Sequence, residues 1–294
     1  MNNLSKSFNL GGRRILKVAD VMTTNPICAK VPGTRDELFD LIRKTNLTTF
    51  PVIKDDSQEL IGIITETDIV SKPSETQLAL LMTRNPVTVS PKDEIVDIIK
   101  ILYDNKFRQL PVVDNKKKLV GLITIGDIVS KVIAISASEK IIGEYMASSV
   151  LGIWQETPLP VCQKIMEFAE AEAALIFDDK TSMVGIITMV DFVKFYEAIS
   201  SEKRDEMSSG EGKEGSWDAV STIIVHTKDL KLPEIPVKEI MTKEVVTTFS
   251  KASISDVAKK MHRQELYQIP VVDAKGFVFG IIRDFDLLKA YSKL

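Results

Sequence analysis

Residues Gly62–Asp68 read GIITETD, and the heptapeptide returns as GLITIGD at Gly121–Asp127, GIITMVD at Gly185–Asp191 and, altered, GIIRDFD at Gly280–Asp286. Each copy opens on β-branched apolar residues and ends with Thr or Arg three residues before Asp, the pattern of a strand that turns into a capped helix. One such stretch is ordinary, but four make it the organising signal of the chain. A methionine precedes each copy: Met22 lies 40 residues before Gly62, and Met82, Met146 and Met241 lie 39 before Gly121, Gly185 and Gly280. Proline follows the methionine by 29 residues at Pro51, Pro111 and Pro270, in FPVI, LPVV and IPVV, whereas the third copy has Leu175 in ALIF.

Between the anchors each copy predicts the same elements. A strand follows the methionine (PICAKV, PVTVS, VLGIW, VVTTF), and a helix follows that. In the second copy Ile95, Ile98, Ile99 and Leu102 recur at helical spacing; in the fourth Ile254, Val257, Ala258 and Met261 do so, and Cys162 falls on the same face of the third. Two strands and a short helix complete a strand, helix, strand, strand, helix unit of about 60 residues, too small to bury much surface alone. Units are therefore expected to pack in pairs.

The expected division is an N-terminal extension over 1–16, repeats over 17–73, 77–135, 140–199 and 236–294, and a flexible linker over 200–235. Only the turn-like KPSETQ separates the first two repeats, so they form one module and the last two form another. Within the linker, Ser200–Ser216 is charged and rich in Ser and Gly, as in a loop, while AVSTIIVHT has the β-branched content of a strand.

Composition excludes several classes. At 294 residues, 44% hydrophobic and 27% charged, the chain has the profile of a soluble globular protein of about two domains. A net charge of -3 argues against a nucleic-acid partner. No apolar run reaches membrane-spanning length, and MNNLSKSFNLGGRRIL lacks an apolar export core, so a cytoplasmic location without a membrane partner is expected. Two cysteines give neither a disulfide framework nor a zinc signature. His226 and His262 have no sequence neighbours that make a nucleophile or a metal site, and there is no P-loop or dinucleotide fingerprint. No enzyme activity, metal or required cofactor is expected.

The methionine-led start, the PVV strand and the G-h-h-T-x-x-D turn, in tandem, resemble cystathionine β-synthase (CBS) domains, which pair into Bateman modules. The resemblance covers nearly all of Lys17–Leu294 outside the linker. It implies an α+β fold of four βαββα repeats in two modules. It also implies a regulatory sensor that binds AMP, ADP, ATP or S-adenosylmethionine in clefts between paired repeats. Since the repeats occupy the chain, output is expected through an effector protein or through self-association as a homodimer. The other reading is a structural scaffold with degenerate, unoccupied clefts.

Two readings of the turns stand side by side. Thr65, Thr124 and Thr188 can cap the following helices, with Asp68, Asp127 and Asp191 completing capping boxes. A hydroxyl and a carboxylate at a helix mouth can also hold the two hydroxyls of a ribose. The resemblance assigns these pairs, and Asp286, to ribose. It also places phosphate contacts just before the PVV strand, at Thr48 and Thr49, Arg108 and Gln109, Glu172 and Ala173, and Tyr267 and Gln268; only Arg108 brings a cation. Ile27 and Val87 are implied to lie against an adenine, with core packing as the other account. In the fourth copy Arg283 replaces Thr, and is expected to pair with Asp286 and block its cleft, leaving the second module the weaker binder.

Overall fold

The apolar face predicted from spacing is the face that is buried. The computed structural model describes residues 15–45, 47, 49–55, 57–72, 74–207 and 221–292. The first repeat contains α1 (Val18–Val21), β1 (Thr23–Thr24), β2 (Ala29–Val31), α2 (Arg35–Thr45), β3 (Phe50–Lys54), β4 (Leu60–Ile64) and α3 (Glu66–Ser71). The second contains α4 (Leu78–Leu81), β5 (Thr83–Arg84), α5 (Ile95–Asp104), β6 (Gln109–Val113), β7 (Leu119–Thr124) and α6 (Ile125–Ile128), which continues as a π-helical turn over Val129–Ile133. The third contains β8 (Gly152–Trp154), α7 (Leu159–Phe168), β9 (Ala173–Phe177), β10 (Met183–Thr188) and α8 (Met189–Phe195). A hairpin, β11 (Glu197–Met207) and β12 (Ser221–Lys231), leads to α9 (Ile254–Gln264), β13 (Gln268–Val272), β14 (Val278–Arg283) and α10 (Asp284–Ser292). Ile95, Ile98, Ile99 and Leu102 of α5, Ile254, Val257, Ala258 and Met261 of α9, and Cys162 of α7 are all buried.

Two expectations are corrected. The strands predicted at PVTVS and VVTTF shrink to single bridges, Val89 with Val112 and Thr248 with Val271. In the second repeat the cause is local: Val89 makes both of its ladder bonds, to Pro111 and Val113, and the next residue due to donate to β6 is Pro91, which has no N–H. Ser200–Met207, read as loop, belongs to β11, which pairs antiparallel with β12 from Glu197↔Lys231 to Met207↔Ser221. Its polar composition hid a strand that takes its hydrogen bonds from β12. The rest of the predicted loop lies outside the described residues. Of the strand expected from AVSTIIVHT, Ser221 to Thr227 lie in β12, which runs on to Lys231, and Ala219 and Val220 lie outside the described residues.

Pairing within each module is made by exchange at the sheet edge. Strand β1 of the first repeat adds to β7 of the second, and β5 of the second adds to β4 of the first. In the other module the same crossing survives as the bridges Ala147↔Ile281 and Ile186↔Thr242. This explains both anchors. Each methionine packs across the module against the glycine of its partner: Met82 on Gly62, Met22 on Gly121, Met241 on Gly185 and Met146 on Gly280. A Cβ at Gly280 would lie 2.8 Å from the Ala147 carbonyl oxygen, a backbone atom that cannot swing aside. Gly280→Ala is expected to lower stability by about 1–3 kcal/mol, the usual cost of overpacking. An unchanged urea midpoint would show that the crossing is loose.

The modules meet unevenly. Helices α5 and α6 of the second repeat and α9 and α10 of the fourth share one buried cluster, including Ile98, Leu102, Ile133, Val257, Met261, Leu287 and Leu288. The first and third repeats keep separate cores, in which Val193 of α8 joins the first and Tyr196 touches both.

Candidate functional site

Every G-h-h-T/R-x-x-D turn places its Asp at the mouth of the helix after the second hairpin strand. In the second copy the Thr124 N–H and hydroxyl both donate to Asp127 Oδ2, at 3.0 and 2.8 Å, and the Asp127 N–H donates back to Thr124 Oγ1 at 3.0 Å. The first copy repeats this, with 2.8 Å for both Thr65 donations to Asp68 Oδ2; in the third, Thr188 donates to Asp191 Oδ2 at 2.8 and 2.9 Å. The capping boxes are therefore real.

The second carboxylate oxygen reaches across the module. Asp127 Oδ1 accepts from the Thr23 hydroxyl at 3.0 Å and from Lys131 Nζ at 2.7 Å, and Asp68 Oδ1 accepts from the Thr83 hydroxyl at 3.3 Å. Sequence reasoning missed Thr23, Thr83 and Lys131. A signal for the threonines was present: Thr23, Thr83 and Thr242 directly follow the methionine, and only the fourth-repeat turn faces Ala147 instead.

The fourth turn has thus lost both threonines, and Arg283 replaces what they do. Its backbone N–H donates to Asp286 Oδ2 at 2.9 Å, its Nε to Oδ2 at 3.1 Å and its Nη2 to Oδ1 at 3.1 Å. The pairing expected from the sequence forms, and it raises the Arg283 pKa, with the hydrogen bond to Asp286 as the first cause. The Asp remains fixed, since one of its bonds comes from backbone and needs no particular side chain.

Ile27 and Val87, expected against an adenine, lie outside the core with 44% and 49% of their surface exposed. Each follows its crossing threonine by four residues, so each is carried on the segment that joins the partner's turn. Leu151 and Val246, five residues after Met146 and Met241, hold the equivalent places in the other module and are partly buried. Gln109 stands opposite Thr124 in the β6–β7 register, and its Nε2 is buried with no hydrogen-bond partner among the described residues. An orphaned donor at that depth costs about 1–3 kcal/mol unless an acceptor arrives.

Arg108 has a different surrounding from the one expected. It donates to Glu172 Oε2 of the third repeat at 3.1 Å and to Asp284 Oδ2 of the fourth at 2.5 Å, and lies over the rings of Tyr267 and Phe285, 5.0 and 5.4 Å from their centroids. Asp284 was missed, although it is a charge where the second and third copies have Ile125 and Met189. Burial pushes the pKa of Asp284 up to about 6, while Arg108 pulls it down. Thr48 lies outside the described residues, and His262 is exposed at the end of α9.

The CBS domain family matches this chain four times, over residues 18–75, 78–134, 142–198 and 237–293. An uncharacterized protein of Methanocaldococcus jannaschii, MJ0188, is 30% identical over 128 residues, which are 43% of this chain and 48% of that protein. The chain thus spans about half the length of that relative. A solved structure of an uncharacterized conserved protein from Pyrococcus horikoshii is 26% identical, with a TM-score of 0.61 over 94% of this chain and 99% of that one. MJ1225 of Methanocaldococcus jannaschii shares the fold at 17% identity, with a TM-score of 0.73 over 94% of this chain and 100% of its own.

Proposed function

The chain belongs to the CBS-domain family, and on that premise we propose that it is a non-catalytic regulatory sensor that binds an adenosine-containing ligand between paired repeats. The observation that carries this reading is the first module's arrangement. There, half-exposed Ile27 and Val87 arrive on the same crossing segments whose threonines reach Asp127 and Asp68. An apolar face suits an adenine, and a hydroxyl and carboxylate at a helix mouth suit a ribose. The unpartnered Gln109 amide at the same end of β6 adds a donor for a ligand acceptor. Thr65 and Asp68, Thr124 and Asp127, and Thr188 and Asp191 are assigned to ribose. The second module is the weaker binder, because Arg283 holds Asp286 and the apolar positions there are partly buried. Its output passes to an effector protein or a second copy.

One observation favours the scaffold reading instead: both oxygens of Asp68 and Asp127 already have protein partners. Thermal unfolding with AMP, ATP and S-adenosylmethionine separates the two. A ligand at about 100 times its dissociation constant should stabilise the chain by roughly 2.7 kcal/mol if only the folded state binds it. No shift with any of them at millimolar concentration favours the scaffold.

A further inference from the structure

Arg108 is the meeting point of three repeats. Its guanidinium projects from the second repeat, and every contact named for it lies in the other module: Glu172, 64 residues away, and Asp284, 176 residues away, with the rings of Tyr267 and Phe285 beside it. The two carboxylates take its hydrogen-bonding edges and the two aromatic rings cover its faces. Two of its five N–H donors are used, and two carboxylates at hydrogen-bond distance cancel its charge, so it attracts an incoming anion far less than a free guanidinium would.

The charge around it points the same way. Close by, Arg283 is held by Asp286 through two side-chain bonds, and Glu172 and Asp284 act on Arg283 as well. Two guanidiniums therefore share three carboxylates, one of which, Asp284, is only 3% exposed. A phosphate entering here meets fixed negative charge at short range, where screening by water is weak.

We infer that Glu172 and Asp284 are built-in counter-ions of Arg108, which clamp the two modules together and turn the junction against phosphate-bearing ligands. This rests on the proposed function for its ligand class, and narrows it: an adenosyl ligand whose far end reaches the junction carries a neutral or cationic group. A phosphorylated ligand meets Arg108 as an uncompensated cation only by displacing a carboxylate, and Glu172 is the more exposed of the two at 56%. Displacing it also removes one of the contacts between modules, so ligand charge is coupled to module orientation.

The test uses the full chain, with adenosine, AMP and inorganic pyrophosphate as probes. The parent should bind adenosine at least as tightly as AMP. Glu172→Gln, on a half-exposed side chain, should tighten AMP by about tenfold and leave adenosine unchanged, and adding Arg108→Met should remove the gain. A parent that prefers AMP tenfold, or a Glu172→Gln variant with an unchanged ratio of AMP to adenosine affinity, overturns the inference. If adenosine and AMP bind neither the parent nor the variants and S-adenosylmethionine does not either, the proposed function fails, and pyrophosphate still decides the counter-ion role. It should raise the melting temperature of Glu172→Gln and not of the parent, and an equal response in both overturns the inference.

Discussion

Replacing Arg108 by Met should destabilise the chain by about 3–5 kcal/mol at pH 8, toward the lower figure because Arg108 is 33% exposed, and by much less at pH 5. The loss at high pH is that of a buried carboxylate left without its cation. Asp284 is almost fully buried, and burial raises its pKa to about 6; Arg108 opposes that rise, while Glu172 and Asp286 add to it. The unfolded chain has an ordinary carboxyl near 3.9. Since the folded value is the higher one, the folded state holds the proton more tightly. The contribution of Asp284 to stability is therefore full below about pH 4 and declines as pH rises toward about 6, above which it is level. Without Arg108 the folded pKa moves further up, so the decline continues past pH 6 and the gap between variant and parent widens up to pH 8. At pH 5 Asp284 is protonated in the variant and needs no partner. Urea midpoints at the two pH values measure the gap. An equal gap at both would place the loss in the packing of Arg108 on Tyr267 and Phe285, and would remove charge from the account of the junction.

Much of the architecture was legible because each repeat solves the same burial problem in the same order. The faces of α5 and α9 follow from spacing alone, since a helix with apolar residues at i, i+3, i+4 and i+7 has one stripe to bury. The fixed interval from methionine to glycine showed that the two were related, but not that they touch across the module. That contact is made by strand exchange, and exchange leaves no mark within a single repeat. The capping boxes were legible for the same local reason, as was the Arg283–Asp286 pair, three residues apart at a helix start. What was not legible depends on the distant partner. Arg108 reads as a solvated or phosphate-binding cation until Glu172 and Asp284 are brought beside it from the other module. Likewise β11 is too polar to announce itself, and its place follows from its pairing with β12.

Asp127→Ala and Asp286→Ala together should separate the structural role of the turns from the binding role. Asp127 accepts from the Thr124 backbone and hydroxyl, from the Thr23 hydroxyl and from Lys131, and is 8% exposed. Its loss leaves the Thr124 cap in place but removes the carboxylate half of the capping box and the charged hydrogen bonds made through it, so a fall in stability of about 1.5–3 kcal/mol is expected. Affinity for an adenosyl ligand, measured by calorimetry at a temperature where the variant stays folded, should fall by roughly tenfold to hundredfold. Asp286 has a comparable burial, 9%, and a comparable set of bonds, but they come from Arg283 in place of a threonine. Asp286→Ala should thus cost stability of the same order and leave ligand affinity unchanged, because its turn holds no hydroxyl with which to grip a ribose. The contrast between the two is informative because both aspartates cap a helix and only one is proposed to bind. If both variants lose stability alike and neither changes affinity, the four turns are helix caps that fix the crossing of paired repeats, and the ligand, if one binds, is held elsewhere.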